Sequence, residues 1–214
     1  MQFLVLFLAL AQATVPPAPK ETKVPEAPPG SPVVALEVRQ GTNTLGTIKM
    51  VLRPDKAPLS VANFLEYLRA GHYVGTIFHR VMPDFMIQGG GFTPEMEEKP
   101  ERPPIRNEAR NRLRNARGAV AMARTEDPDS ASAQFFINAR NNHNLDFGIA
   151  GMGYAVFGHV IEGMEVVDLI STTPTTRRGE HGNTPVMPVV IQRAYEVEPA
   201  PPAPDPGPET GVKP

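Results

Sequence analysis

Proline is the residue whose distribution most restricts how this chain can fold. Seven of the 25 prolines lie in residues 1–32 and seven more lie in residues 199–214. The segments VPPAPKETKVPEAPPGSP (15–32) and PAPPAPDPGPETGVKP (199–214) also have too few apolar residues to offset the entropy of ordering a chain. We therefore predict one folded domain, residues 33–196, between a disordered proline-rich linker (14–32) and a disordered proline-rich tail (197–214).

The first 13 residues have the pattern of an export signal. MQFLVLFLALAQA is apolar and ends in AQA, the small-x-small form of a signal-peptidase site. The eleven residues from Phe3 to Ala13 fall short of the ~20 that span a bilayer as a helix, which argues against a stable membrane anchor. Met1 and Gln2 carry no positive charge, where such a signal normally begins basic, so its completeness stays open.

Charge and composition exclude several classes of function. The formal net charge of −2 gives no reason to expect nucleic acid as a partner. The one basic run, Arg102 to Arg117, is interspersed with Glu101 and Glu108, and we interpret it as a solvated loop rather than a polyanion site. The chain has no cysteine, which excludes disulfides, thiolate zinc sites and thiol nucleophiles. Its histidines form no HExxH motif, so no metal site is predicted.

Alternation of apolar and polar residues predicts a mainly β domain. Two alternating segments, residues 34–39 and 47–52, flank the turn sequence QGTNTLG and predict an antiparallel hairpin. Many short strands with few helices between them favour an antiparallel sandwich or barrel over a parallel sheet. The further strands are expected at residues 75–80, 85–88, 118–123, 135–138, 155–161 and 189–195.

Two helices are predicted. In residues 57–71, apolar residues recur at i, i+3, i+4 and i+7, with Ser60 placed as the N-cap and Gly71 as the C-cap. A second, shorter helix is expected in residues 163–171.

The stretch TIFHRVMPDFMIQGGGFT, residues 76–93, suits neither a buried strand nor a solvated loop. It places Arg80 and Gln88 among large apolar side chains and before three glycines. No helix N-terminus follows the glycines, as a phosphate loop requires, and the chain has no GxSxG motif. His79 is interpreted as a packed histidine rather than a general base. This combination suits a reaction that breaks no covalent bond.

Rotation about an Xaa-Pro peptide bond is such a reaction. Its barrier of ~18–20 kcal/mol arises from amide resonance, while the cis and trans ground states differ by only ~0.5–1 kcal/mol. An apolar pocket can hold the proline ring, and a guanidinium can donate to the proline nitrogen once resonance is lost. Both contacts strengthen in the transition state, which is the condition for acceleration.

Four segments of the chain resemble the cyclophilin family of peptidyl-prolyl isomerases, closest to the short-loop periplasmic type of Gram-negative bacteria. The resemblance extends over residues 33–196 in the family's order and spacing. It implies an eight-stranded antiparallel β-barrel capped by two α-helices, a periplasmic location and no cofactor. The segments are FHRVMPDFMIQGGGFT (78–93), GAVAMART (118–125), SAQFFINA (132–139) and YAVFGHVIEGMEVVD (154–168).

The resemblance also implies roles for individual residues. Arg80 corresponds to the family's catalytic arginine, and Gln88 to the glutamine that hydrogen-bonds the substrate backbone. Asn144 stands where many members carry a tryptophan that contacts cyclosporin, so weak cyclosporin binding is expected. The other implied substrate-binding residues are Phe85, Met86, Phe136 and Leu145 of the proline pocket, Ala123 and Gln134 along the groove, and Tyr154, where many members carry histidine.

Three functions are compatible with the sequence. They are an isomerase acting on proline-containing peptides and unfolded protein clients, a proline-peptide binding module, and a holdase chaperone. Arg80 favours the isomerase, because a pure binding module needs no donor to the proline nitrogen. A monomer is the family default. Whether the proline-rich segments are spacers, plain disordered ends or substrates of the site stays open.

Overall fold

The computed structural model describes residues 26–149 and 151–198. The predicted signal peptide and most of both proline-rich segments lie outside the described residues. None of the helices in the described part of the chain has the length and apolar character that crossing a bilayer requires. The elements, in chain order, are β1 (Val33–Gln40), β2 (Asn43–Leu52), α1 (Pro58–Arg69), β3 (Arg80–Met82), β4 (Met86–Gly89), β5 (Ala119–Met122), β6 (Phe135–Asn138), β7 (Val156–Glu162), α2 (Met164–Ser171), β8 (Thr175–Arg178), β9 (His181–Pro185) and β10 (Val189–Val197).

Eight of the strands form one antiparallel sheet in the order β10-β1-β2-β7-β5-β6-β4-β3. Residues 75–78 connect its two edges, because Gly75 N donates to Ile191 O at 2.9 Å and Phe78 N donates to Val189 O at 3.0 Å. The sheet therefore curls into a barrel. The prediction of a mainly β, eight-stranded antiparallel fold with two helices is confirmed. The separate hairpin of β8 and β9 was not predicted from the sequence.

Aromatic rings fill the space between α1 and the sheet. Phe64 of α1 stacks on Tyr73 with ring centroids 4.8 Å apart. The same ring meets Phe135 of β6 edge-on at 5.4 Å and Phe157 of β7 at 5.2 Å. All four side chains are fully buried. Such rings bury large apolar areas, so this cluster fixes the position of α1 on the sheet.

The predicted ends of α1 are wrong by one to three residues. The helix begins at Pro58 rather than after Ser60, and the N-cap position carries no side-chain hydrogen bond. Instead, the backbone N–H and the hydroxyl of Ser60 both donate to the carboxylate of Glu108, at 2.8 and 2.7 Å. Glu108, which is distant in the sequence, thus provides the hydrogen-bond acceptor that was expected from a local N-cap side chain. At the other end the C-cap is Ala70, one residue before the predicted Gly71.

The predicted strand at residues 75–80 is also wrong. A regular strand begins only at Arg80. The preceding residues run along the seam of the barrel, where Ile77 forms a single bridge with Val190 of β10.

Candidate active site

A row of side chains crosses four neighbouring strands of the sheet. Arg80 of β3 lies opposite Gln88 of β4, and Gln88 lies opposite Phe136 of β6. Phe136 in turn lies opposite Ala121 of β5. Directly opposed residues on antiparallel strands lie about 4.5–5.5 Å apart. The register of the sheet therefore brings together residues that are more than 50 positions apart in the chain.

Strand alternation places the side chains of β3, β4 and β6 in two different apolar clusters. Val81, Ile87 and Ile137 point into the main core beneath α1. Their neighbours Met86 and Phe136 point to the opposite face, where they form a second cluster. Because successive side chains on a strand face opposite sides, one sequence pattern builds both the core and the floor of a surface pocket.

The pocket over this second cluster encloses about 150 Å³. Six of the nine lining side chains are apolar or aromatic, and Arg80, Gln88 and Arg124 add polar groups. Gln134 is the one predicted site residue outside the lining, although it contacts Gln88 directly. Arg124 lines the pocket and was missed by the sequence analysis. The lining residues are Arg80, Phe85, Met86, Gln88, Ala123, Arg124, Phe136, Leu145 and Tyr154.

Arg80 and two glutamines form a hydrogen-bonded chain at the pocket edge. Arg80 Nη1 donates to Gln88 Oε1 at 3.4 Å, and Gln88 Nε2 donates to Gln134 Oε1 at 3.0 Å. No carboxylate among the described residues forms an ion pair with Arg80. The guanidinium has five donors, so most of them are free to bind another group.

Gly91 allows the glutamine side chain to approach. A Cβ atom at Gly91 would lie 2.7 Å from Gln134 Cγ and 2.8 Å from its Cδ. Contacts under 3 Å force a shift, so any larger residue would move Gln134 away from Gln88. This close approach explains one of the three consecutive glycines.

The far wall of the pocket is closed by a loop whose two ends meet. Tyr154 N donates to Leu145 O at 3.1 Å, which brings both side chains to the pocket. The ring of Tyr154 meets Phe136 edge-on, with centroids 5.7 Å apart. Asn144 is exposed on the short 3-10 helix His143–Leu145 and does not line the pocket.

Arg124 covers the outer face of Tyr154. Its guanidinium carbon lies 4.5 Å from the ring centroid, a cation–π contact. Its Nε donates to Gly153 O at 3.0 Å and its Nη1 to Thr125 O at 2.7 Å. Strand alternation would have placed residue 124 on the face opposite residue 123. Because β5 already ends at Met122, that alternation no longer holds, and the sequence carried no signal for this contact.

His79 precedes Arg80 but takes no part in the pocket. It is buried, as expected, between the rings of Phe92 and His181, with centroids 4.7 and 5.9 Å away. Burial first, and then the nearby charges of His181 and Arg80, lower the pKa of His79 to about 4. The ring is therefore neutral at pH 7, and its Nδ1 has no hydrogen-bond partner among the described residues.

Metal-assisted chemistry finds no support in the arrangement of side chains. Within residues 26–149 and 151–198, no group of three or more histidine and carboxylate side chains could hold a metal ion. The pocket offers apolar contact, amide groups and two guanidinium groups.

Comparison with known proteins gives one consistent result. A family model described as "Cyclophilin type peptidyl-prolyl cis-trans isomerase/CLD" matches residues 36–196. The chain is 53% identical over 153 residues to peptidyl-prolyl cis-trans isomerase A of Dickeya dadantii, covering 72% of this chain and 80% of that protein. It is 51% identical over 150 residues to isomerase B of Escherichia coli, covering 69% and 92%. A crystal structure of a cyclophilin-type isomerase from Cryptosporidium parvum, in the presence of the dipeptide Ala-Pro, superposes with a TM-score of 0.66 at 24% identity, covering 78% of this chain and 99% of that one.

Proposed function

The chain belongs to the cyclophilin-type peptidyl-prolyl cis-trans isomerase family, and we propose that Arg80 and the adjoining pocket accelerate rotation about Xaa-Pro peptide bonds in folding or partly unfolded proteins. The uncatalysed rotation takes tens to hundreds of seconds, which is slow enough to limit folding. A catalyst needs only to stabilise the twisted amide, in which the carbonyl and the nitrogen are no longer conjugated.

The apolar walls hold the proline ring. The side chains of Phe85, Met86, Phe136 and Leu145 surround a space of about 150 Å³, and Tyr154 closes it edge-on against Phe136. Desolvating an apolar ring in such a space is favourable and fixes its orientation. The peptide on the carbonyl side of the bond then stays free to rotate while the ring is held.

Arg80 is the catalytic residue of this proposal, and Gln88 and Gln134 are positioning residues. In the planar amide the proline nitrogen has no usable lone pair, whereas in the twisted amide it accepts a hydrogen bond. A guanidinium donor therefore binds the transition state more tightly than either ground state. The bond from Arg80 to Gln88 holds the guanidinium toward the pocket while leaving its other donors free.

One observation carries the proposal: an arginine without a carboxylate partner in the described chain stands beside an apolar pocket of proline size. Arg80 is half-buried, and Gln88 is its one side-chain hydrogen-bond partner in the described chain. We infer that its remaining donors are available to the substrate nitrogen.

The test is the cis–trans exchange rate of a short Ala-Pro peptide, measured by NMR with catalytic amounts of the full chain. We expect Arg80→Ala to lose ~100-fold or more in kcat/KM, equivalent to ~2.7 kcal/mol of transition-state stabilisation. Arg80→Lys should recover little, because a lysine ammonium does not reproduce the planar fork. Arg39→Ala, on β1 outside the pocket lining, is the matched control and should retain parental exchange. Background exchange with a folded parent protein would show that the pocket binds proline without catalysis.

Export to the periplasm is a second part of the proposal. Its support is the apolar N-terminal run ending in AQA, together with close relatives in Gram-negative bacteria. In a Gram-negative host, osmotic shock should release a protein whose mass lacks residues 1–13. A full-length mass in the cytoplasmic fraction would contradict export.

A further inference from the structure

Residues 109–115 run beside the pocket with alternate side chains turned inward. Asn111 Nδ2 donates to Val156 O at 2.8 Å. Leu113 packs against the apolar cluster that floors the pocket. Asn115 is fully buried, and its backbone N–H donates to Asp146 Oδ1 at 2.7 Å. These inward contacts fix the segment in place.

The residues between them, Arg110, Arg112 and Arg114, all point to solvent. None of the three forms an ion pair or a side-chain hydrogen bond within the described part of the chain. By contrast, several other arginines of the described chain pair with carboxylates, as Arg53 does with Asp55. Three guanidinium groups without a carboxylate or hydrogen-bond partner in the described chain therefore lie on the solvent side of a segment whose inward side chains are fixed.

The neighbouring carboxylates do not neutralise these charges, because they are committed elsewhere. Glu108 accepts from the backbone N–H groups of Leu59 and Ser60 at the start of α1. Asp146 is only 9% exposed and accepts from Asn115. Glu108, one of the glutamates that made the basic run look balanced in the sequence, is thus directed at the start of α1 instead.

The arginines border a groove that also exposes apolar side chains. The groove encloses about 380 Å³ and includes Phe147 and Ile149, which are 40% and 68% exposed. Arg110 lies over the Phe147 ring, with its guanidinium carbon 4.9 Å from the centroid. A surface that combines free guanidinium groups with exposed apolar side chains suits a partner that carries both carboxylates and apolar groups.

This groove and the proline pocket share a wall. Leu145 lines the pocket and the next residue, Asp146, lines the groove. Leu113 lies between them, because it lines the groove and packs in the cluster beneath the pocket. An extended chain advances about 3.3 Å per residue, so a peptide whose proline fills the pocket reaches the groove within a few residues.

We propose that this arginine groove binds acidic residues that flank the proline in the same client polypeptide. The inference rests on the proposed function, since it assigns a substrate class to that site: proline segments with nearby aspartate or glutamate. Guanidinium groups bind carboxylates with two parallel hydrogen bonds, and an apolar side chain beside the acid contacts Phe147. Because such contacts form equally in the ground and transition states, they lower KM and leave kcat unchanged.

The experiment compares peptides that differ only in charge. Each contains an Ala-Pro core, with two glutamates or two glutamines placed two to four residues before or after the proline. At low ionic strength we expect an acidic peptide with its glutamates on one side of the proline to have a kcat/KM about five- to tenfold higher than that of the matching glutamine peptide. The difference should come from a lower KM. The preference should disappear near 0.5 M salt, because exposed ion pairs are screened.

The variant that tests the assignment is Arg110→Gln, Arg112→Asn and Arg114→Gln combined. Asparagine is used at position 112 because its φ of +67° lies in the left-handed region, which asparagine tolerates. The ratio of acidic to glutamine peptide should fall to about one. A control that removes the same charge elsewhere, Arg39→Gln, Arg69→Gln and Arg177→Gln combined, should keep the parental ratio. Urea unfolding of both variants checks that they are folded.

The outcomes separate this inference from the proposed function. If the parent fails to exchange any peptide, the proposed function fails. If it exchanges the glutamine peptides but shows no acidic preference on either side, only the groove assignment is overturned. Vesicles of phosphatidylglycerol provide the remaining test: arginine-dependent sedimentation with vesicles, without an acidic peptide preference, would assign the groove to an anionic membrane surface and refute the proposal.

Discussion

Neighbouring glycines should respond to the same substitution in opposite ways. Gly90 has a φ of +91°, and a Cβ there would lie 3.0 Å from both Phe135 and Tyr73 in the main core. At Gly91, the three atoms nearest to an added Cβ all belong to the side chain of Gln134, the closest at 2.7 Å. We therefore expect Gly90→Ala to cost stability and Gly91→Ala to cost activity.

The magnitudes follow from these contacts. Alanine at a positive φ costs about 1–2 kcal/mol, and overpacking a well-filled core adds about 1–3 kcal/mol. Gly90→Ala should thus lower the free energy of unfolding by about 2–5 kcal/mol. Gly91→Ala displaces a movable side chain and loses one neutral hydrogen bond, which costs about 0.5–1.5 kcal/mol. Losing the Gln88 contact loosens the support of Arg80, and a misplaced donor should lower kcat/KM by about tenfold.

Two measurements decide the matter: urea unfolding for stability and NMR exchange of an Ala-Pro peptide for activity. We expect Gly91→Ala to unfold close to the parent midpoint while exchanging the peptide more slowly. A Gly91→Ala protein with parental kcat/KM would show that Gln134 does not support the site. A Gly90→Ala protein with parental stability would refute the core argument.

Three further predictions concern acid stability, helix capping and cyclosporin. The folded-state pKa of His79 is about 4, below the ordinary 6.5, so its stabilising contribution is complete above pH 6.5 and disappears as the pH falls toward 4, by about 3 kcal/mol in all. Urea unfolding measured at several pH values in this window should show a flatter pH dependence for His79→Asn than for the parent protein; an unchanged slope for His79→Asn would contradict the assignment. Glu108→Ala should lower the free energy of unfolding by about 1–3 kcal/mol, because the first turn of α1 loses a charged acceptor; equal loss in the exposed Glu95→Ala control would argue against capping. Asn144→Trp should tighten cyclosporin binding in calorimetry by restoring an aromatic surface and an indole donor, and an unchanged dissociation constant would remove Asn144 as the reason for weak binding.

Local patterns predicted much of the fold because alternation reports which side of a sheet is buried. Met86 and Gln88 face the pocket while Ile87 faces the core, as a period of two requires. The alternation and helical patterns gave wrong element boundaries where a boundary depends on a residue that is distant in the sequence. The start of α1 is bound by Glu108, which follows Ser60 by 48 residues, and no helical propensity could reveal that contact.

The candidate site was predicted only in part for the same reason. Arg80 and Gln88 lie in one segment, and their opposition across a tight hairpin follows from their spacing. Leu145 and Tyr154 were assigned through the family resemblance, because nothing in their own neighbourhood marks them as pocket walls. The free arginines were not recognised in the sequence because Glu108 precedes them and made the run look balanced, and only the three-dimensional contacts show that Glu108 binds α1 instead.

The first and last strands of the described barrel are neighbours, with Val33 of β1 opposite Val197 of β10. During synthesis the sheet therefore cannot be completed until residue 197 has left the ribosome, so barrel closure is a late, long-range event. The same adjacency makes the chain suitable for circular permutation. A short loop could join the two ends, and new termini could open at the exposed turn of residues 179–180 without removing a strand from the barrel.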